Sequence, residues 1–266
     1  MKNLLYLLGL LAFSFNFSAC SPEEPEQEPD PLKDFTLIDQ LSQDAYSVSL
    51  YRKDNLYTGY NALYFQVTKD DDVLNDVDLS VTPFMEMTMH SHSAPVEQAS
   101  GTADELGLHR AHVIFQMPSM NGSWFIKTQL NIDGKELAFD FPVEVMQPEF
   151  STVHVKMGID SMRYIVALAS PSVPVVGENE LDIVVYHMAN MMQFDPIKGL
   201  KVRFEPTMPS MGHGSEGNIQ PTEIEGTGHY KGTVVFNMTG DWRITYTILR
   251  DDAELLEEAY FDLYFQ

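Results

Sequence analysis

Cysteine is almost absent from this chain of 266 residues. Cys20 is the single one, so no disulfide can form within the molecule. Basic residues are scarce too: 16 Lys and Arg stand against 39 Asp and Glu, a formal charge of −23. A phosphate-rich partner needs a cation to offset each phosphate, so this balance argues against DNA, RNA or anionic lipid headgroups as ligands. Signatures of catalysis are also missing. No His-Glu-x-x-His, phosphate loop or dinucleotide fingerprint occurs. His213-Gly214-Ser215-Glu216-Gly217 fails the Gly-x-Ser-x-Gly elbow at its first position. Glu86 and His90 suit acid–base work on paper, but a solvated role fits them better. The chain is therefore expected not to be an enzyme. What is present, 44% hydrophobic and 21% charged residues, describes an ordinary folded protein of one large or two medium domains.

Lys2 precedes the apolar stretch Leu4 to Phe15, and Phe17-Ser18-Ala19 leads into Cys20. The stretch is too short to cross a bilayer, which takes about 20 apolar residues, and its layout is that of an export signal. It resembles a bacterial lipoprotein signal (residues 1–19), in which the cysteine is lipidated and becomes the mature N-terminus. Phe17 stands where leucine is commoner. Ser21 to Asp30 is rich in Pro and Glu and reads as an extended tether, the linker covering 20–34. It resembles the acidic segments that route Bacteroidetes-type lipoproteins to the cell surface. The implied location is the cell envelope, an outer-membrane lipoprotein on either its surface or its periplasmic face.

Self-similarity organises the rest. Tyr46, Leu50, Gly59 and Leu63 recur 118 positions later as Tyr164, Leu168, Gly177 and Leu181. Met87, His92, Phe115 and Met117 recur 121 positions later as Met208, His213, Phe236 and Met238. Trp124 and Ile126 return to 118 at Trp242 and Ile244. Such shifts are loop-length changes between fixed elements of a duplicated domain, expected at 35–147 and 150–266. Apolar and polar residues alternate along Leu63 to Val67, Leu79 to Thr82 and Lys201 to Glu205, and aromatic, β-branched runs follow each tryptophan. Period two, with turn residues between the runs, predicts an all-β protein of two antiparallel β-sandwiches.

The repeat contains two Met/His segments. Met85-Glu86-Met87-Thr88-Met89-His90-Ser91-His92 is one, and Met208-Pro209-Ser210-Met211-Gly212-His213 is the other. The second is followed by Gly228-His229-Tyr230-Lys231-Gly232 and Gly240-Asp241-Trp242. With these strands it resembles the YtkA-like domain family, related to the FixH-like proteins. The first copy matches less well, with Thr88 for the proline and His90 for the second methionine. The resemblance implies immunoglobulin-like extracytoplasmic domains without established catalysis, sometimes found beside metal-handling proteins.

Thioether sulfur suits Cu(I), and imidazole suits Cu(II), Zn and Ni. Were Leu79 to His92 one extended strand, Val81, Met85, Met87 and Met89 would share a face and Glu86, His90 and His92 the other. The histidines would then lie about 6.5–7 Å apart and could converge on one ion. Two readings stay open: Met87 and Met208 as adaptable core fillers beside merely exposed histidines, or a copper site built from Met87, His90 and His92 in one copy and Met208, Met211 and His213 in the other. Gly212 and Gly214 would let the backbone bring Met211 and His213 together, with Met117 and Met238 nearby. His187, Met188, Met191 and Met192 form a possible second soft-metal loop or an apolar partner-binding loop. The expected function is a lipid-anchored carrier or accessory module for a soft or borderline ion, copper favoured, working with an envelope protein. The alternative is a surface protein that grips a protein or glycan and needs no metal.

Overall fold

The computed structural model describes residues 30–266, so the expected signal, Cys20 and residues 21–29 of the expected tether lie outside the described residues. Among the described residues there are twenty β-strands and no α-helix. The first half contains β1 (Thr36–Gln43), β2 (Tyr46–Arg52), β3 (Gly59–Lys69), β4 (Asp72–Val73), β5 (Asp78–Glu86), β6 (Ser91–Ser93), β7 (Val96–Glu97), β8 (His109–Phe115), β9 (Ser123–Ile132) and β10 (Lys135–Val143). The second contains β11 (Val153–Met157), β12 (Arg163–Ser170), β13 (Gly177–Asn190), β14 (Gln193–Pro196), β15 (Lys201–Met208), β16 (His213–Gly214), β17 (Ile219–Ile224), β18 (His229–Phe236), β19 (Gly240–Arg250) and β20 (Ala253–Phe265).

Each half is a two-sheet sandwich, and the two have the same topology. β1-β2-β3-β8-β7, with β4 on β3, faces β10-β9-β5-β6; in the second half β11-β12-β13-β18-β17, with β14 on β13, faces β16-β15-β19-β20. The strands form because alternate side chains have an interior to enter. In β5, Leu79, Val81, Pro83 and Met85 point inward between exposed or half-buried neighbours. The first core closes around Leu50, Phe65, Phe115 and Trp124, the second around Tyr164, Phe236, Trp242 and Phe261.

The repeat extends to single hydrogen bonds. Asn61 bonds the Tyr57 amide (3.0 Å) and donates to the Tyr57 and Gly59 carbonyls (2.7 and 2.8 Å). Asn179 does the same at Val175 and Gly177. Each half also has a glutamine clamp. β5 and β15 pair along their full length on one side only, which leaves backbone groups unpaired on the other. Gln98 supplies the missing partners at Val81, accepting from its amide (2.8 Å) and donating to its carbonyl (2.9 Å). Gln220 forms the same pair of bonds with Phe204, both 2.9 Å. Because Gln98 follows β7 and Gln220 lies in β17, each clamp ties one sheet to the other. Gln220→Ala leaves two backbone groups unpartnered, so urea titration is expected to show a loss of about 1–2 kcal/mol.

The halves differ on the outer face of one sheet. In β2 and β3 buried and half-buried residues are interspersed, whereas Tyr164 to Leu168 of β12 and Leu181 to Tyr186 of β13 are buried throughout. A strand buried on both faces must be covered on both. The second cover is the first domain: Ile114 joins Val153, Ile165, Ala167, Val184 and Tyr186 in a third cluster, with Tyr60 and Met188 packed against it.

Candidate metal centre and domain seam

The extended stretch expected from Leu79 to His92 does not form. β5 stops at Glu86, the chain reverses with the Met87 amide donating to the His90 carbonyl (3.1 Å), and β6 returns with His92 opposite Met85. His90 therefore sits in the turn and is exposed, while His92 is buried. They cannot share one ion as strand neighbours. Met89 is 89% exposed and Met87 half-buried against the core. Pairing also corrects the alignment of the copies. Met85 lies opposite His92 as Met208 lies opposite His213, so Met85, not Met87, is the counterpart of Met208, and the first hairpin is two residues longer.

In the second copy, Met211 and Gly212 amides both donate to the Met208 carbonyl (3.1 and 2.9 Å), closing a tight turn with Gly212 at φ +65°. Met208 points into the core, its Cε placed where a side chain on Gly240 would have to go. Gly240, at φ +127°, therefore has a conformational reason to be glycine. Met211 points the other way and is 60% exposed, and His213 is half-buried with its ring 6.4 Å from Trp242. Met208, Met211 and His213 thus splay instead of converging. Met117 and Met238 contribute their carbonyl oxygens, which accept the indole N–H of Trp124 and Trp242, both at 2.9 Å.

His92 differs from His213. It is 5% exposed, lies edge-on to Trp124 with centroids 5.2 Å apart, and its Nδ1 is 3.0 Å from the Ser93 carbonyl. Its Nε2 is buried with no hydrogen-bond partner. Buried polar atoms are nearly always partnered, because an unmade bond costs about 1–3 kcal/mol. Met85 is across the hairpin, and both Met85 and Met87 approach Gly122, two residues before Trp124. The loop holding His187, Met188, Met191 and Met192 also arrives here. His187 and Met188 lie near the end of β13, Met191 and Met192 form the turn, and the Met191 carbonyl accepts the Ser93 amide across the domain boundary at 2.8 Å. Sequence reading placed these segments in separate sites; the fold brings the Met191 turn against the β6 strand that holds His92. Among the described residues, no group of three or more His, Cys, Asp or Glu side chains is placed to hold a metal. An ion at His92 would therefore need sulfur ligands.

A second polar cluster, which sequence reading missed, lies five residues further along the chain, at Glu97 of β7. Glu97 receives Tyr60 Oη at 2.8 Å, His112 Nδ1 at 3.0 Å and His229 Nε2 at 2.7 Å, and the other nitrogen of His229 lies 2.8 Å from Asp182. Lys231 also approaches Asp182 at 3.4 Å. Burial pushes the His229 pKa down, but the hydrogen bonds and charges of Asp182 and Glu97 outweigh it and hold it at about 9. Burial likewise pushes Glu97 up, and the bonds from His112, His229 and Tyr60 outweigh that and bring it to about 2. Tyr60 is driven above its ordinary value by burial and then by Glu97. His229 is the second residue of the Gly-His-Tyr-Lys-Gly segment, and its offset by one position from His109 of the first copy argued against a shared role. The missed signal was the continuous apolar runs of β12 and β13, which mark a covered face.

Residues 160–247, about a third of the chain, match the YtkA-like family model, so this part of the second domain is YtkA-like. No curated protein matches the chain. Among solved structures, it is similar to the FdeC adhesin of Escherichia coli at 16% identity and a TM-score of 0.27, covering 84% of this chain and 65% of that one. It thus spans just under two thirds of that adhesin chain. A marsupial T cell receptor follows at 10% identity and TM-score 0.24, with 84% and 96% covered. Titin Ig tandem domains match at 10% and 0.20, with 80% and 91% covered.

Proposed function

We propose that the protein is a cell-envelope lipoprotein, anchored through Cys20, whose tandem YtkA-like domains bind a soft or borderline cation, copper favoured, at the seam beside His92. The observation that carries this reading is the buried, unpartnered Nε2 of His92. Imidazole nitrogen with thioether sulfur suits Cu(I), and Met85 faces His92 across the hairpin while the Met191 turn closes over β6. Neither donor is consumed by oxidation to a disulfide, and a chain of charge −23 concentrates cations around itself. The splayed residues Met208, Met211 and His213 have no part in the site.

Competitive titration of the full chain with Cu(I) and Zn(II) tests the reading. His92→Ala should weaken Cu(I) binding at least about tenfold, and His213→Ala should leave it unchanged. Absence of binding, or equal binding by wild type and His92→Ala, ends the ion reading. It would favour the rival, a surface module that grips a protein or glycan. That rival draws on the exposed loop after β12, where Val173, Val175 and Val176 stand uncovered.

A further inference from the structure

The chain from Ser91 to Glu97 belongs to the first domain but touches the second at two places. Within its own domain it is fastened by Ser93 Oγ to the Pro83 carbonyl (2.6 Å) and by the Pro95 carbonyl to the Ile114 amide (3.0 Å). Towards the second domain, the Ser93 amide donates to Met191 O at 2.8 Å, and Glu97 Oε1 meets His229 Nε2 at 2.7 Å. Apolar burial of Ile114 and Tyr60 against Ile165, Ala167, Val184 and Tyr186 surrounds these contacts.

We propose that this segment is a strap through which the protonation of the Glu97–His229–Asp182 cluster sets how tightly the two domains close on each other, and with them the wall that Met191 builds over β6. The proposal does not depend on a bound ion. Its geometry is that of one imidazole bridging two carboxylates from different domains. Both ring nitrogens point at carboxylate oxygens, so both must carry protons for the bridge to hold. When His229 is neutral, one nitrogen presents a lone pair to an anion.

Apart from β17, which sets Ile224 opposite His229, the elements packed around that ring contribute titratable or charged groups. β7 brings Glu97, β8 His112 and β3 Tyr60; β13 brings Asp182, Tyr186 and Glu180; and β18 itself adds Lys231, which bridges Glu180 and Asp182. Lys231 stays beside Asp182 whether or not the domains are closed, so Glu97 is the group left without a cation when His229 deprotonates. His229 has its pKa raised to about 9 from 6.5, so its contribution is full below about pH 6.5 and is lost as pH rises through 9. Glu97 is lowered to about 2 from 4.5, so its contribution holds above about pH 4.5 and is lost as pH falls through 2. Closure is therefore tightest near pH 4.5–6.5 and loosens on both sides, through about 9 as His229 deprotonates and through about 2 as Glu97 protonates.

The test is amide exchange in the metal-free full chain, read residue by residue and corrected for the intrinsic pH dependence of exchange. The Ser93 amide, whose acceptor is in the other domain, should exchange at least about tenfold faster at pH 9.5 than at pH 6, while amides in the centre of β9 keep their protection. Glu97→Gln should show fast Ser93 exchange already at pH 6 and little further change with pH. Equal corrected rates for wild-type Ser93 at the two pH values overturn the proposal, as does a Glu97→Gln profile identical to wild type. Should Glu97→Gln not fold, the wild-type comparison of Ser93 with β9 decides alone.

Discussion

Glu97→Ala is expected to destabilise the protein by about 3 kcal/mol at pH 6, read as a lower urea midpoint. Three donors lose their acceptor at once: Tyr60 Oη, His112 Nδ1 and His229 Nε2. The larger part of the loss comes from what remains. His229 is left as a cation, its side chain 12% exposed, with Asp182 alone to offset it. Stranding one partner of a fully buried pair costs about 3–5 kcal/mol, and the 28% exposure of Glu97 brings the expectation to the lower end. Replacing both partners, as Glu97→Leu with His229→Leu, should recover most of the loss, because Asp182 keeps Lys231 and the seam is already apolar. A double variant as weak as the single one would show that the ionic bridge itself, not the stranded charge, supplies the stability.

Trp242→Ala is the other large effect, expected at about 3–5 kcal/mol. The ring is 1% exposed, packs against Phe236 at 5.1 Å and satisfies the Met238 carbonyl. Alanine opens a cavity between the sheets and orphans that carbonyl, so the melting temperature should drop by about 10–30 °C. Trp124→Ala should cost a similar amount, since Trp124 holds Phe115 and the Met117 carbonyl in the same way. It should differ in one respect. Trp124 also supports His92, so its loss should weaken Cu(I) binding, whereas Trp242→Ala should not. Thermal melts of both variants beside Cu(I) titrations check the pair of expectations.

The sandwich fold was readable because alternation in β5, β15, β9 and β19 follows one period, and inward residues such as Val81, Phe204, Ile126 and Ile244 have no other place to go. The duplication was readable for the same reason, since its strongest marks, Tyr46 and Tyr164 or Trp124 and Trp242, are all core residues. The Met/His hairpin was misread because Met87-Thr88-Met89-His90 turns without glycine or proline, so alternation ran on through a reversal. Its counterpart, with Pro209 and Gly212, displays its turn openly. The glutamine clamps escaped notice because Gln98 and Gln220 act through side chains on the backbone of another sheet, which no periodicity reports. The seam escaped because a contact between Glu97 and His229 joins residues from different domains. Only the unbroken apolar runs Tyr164 to Leu168 and Ile183 to Tyr186 hinted at a covered outer face.

The most direct measurement is the X-ray absorption spectrum of the full chain loaded with one equivalent of Cu(I). A mixed shell is expected, with sulfur scatterers and one imidazole nitrogen, and loss of the nitrogen signal in His92→Ala. A sulfur-only shell, or an imidazole signal that survives His92→Ala and disappears instead in His213→Ala, would contradict it.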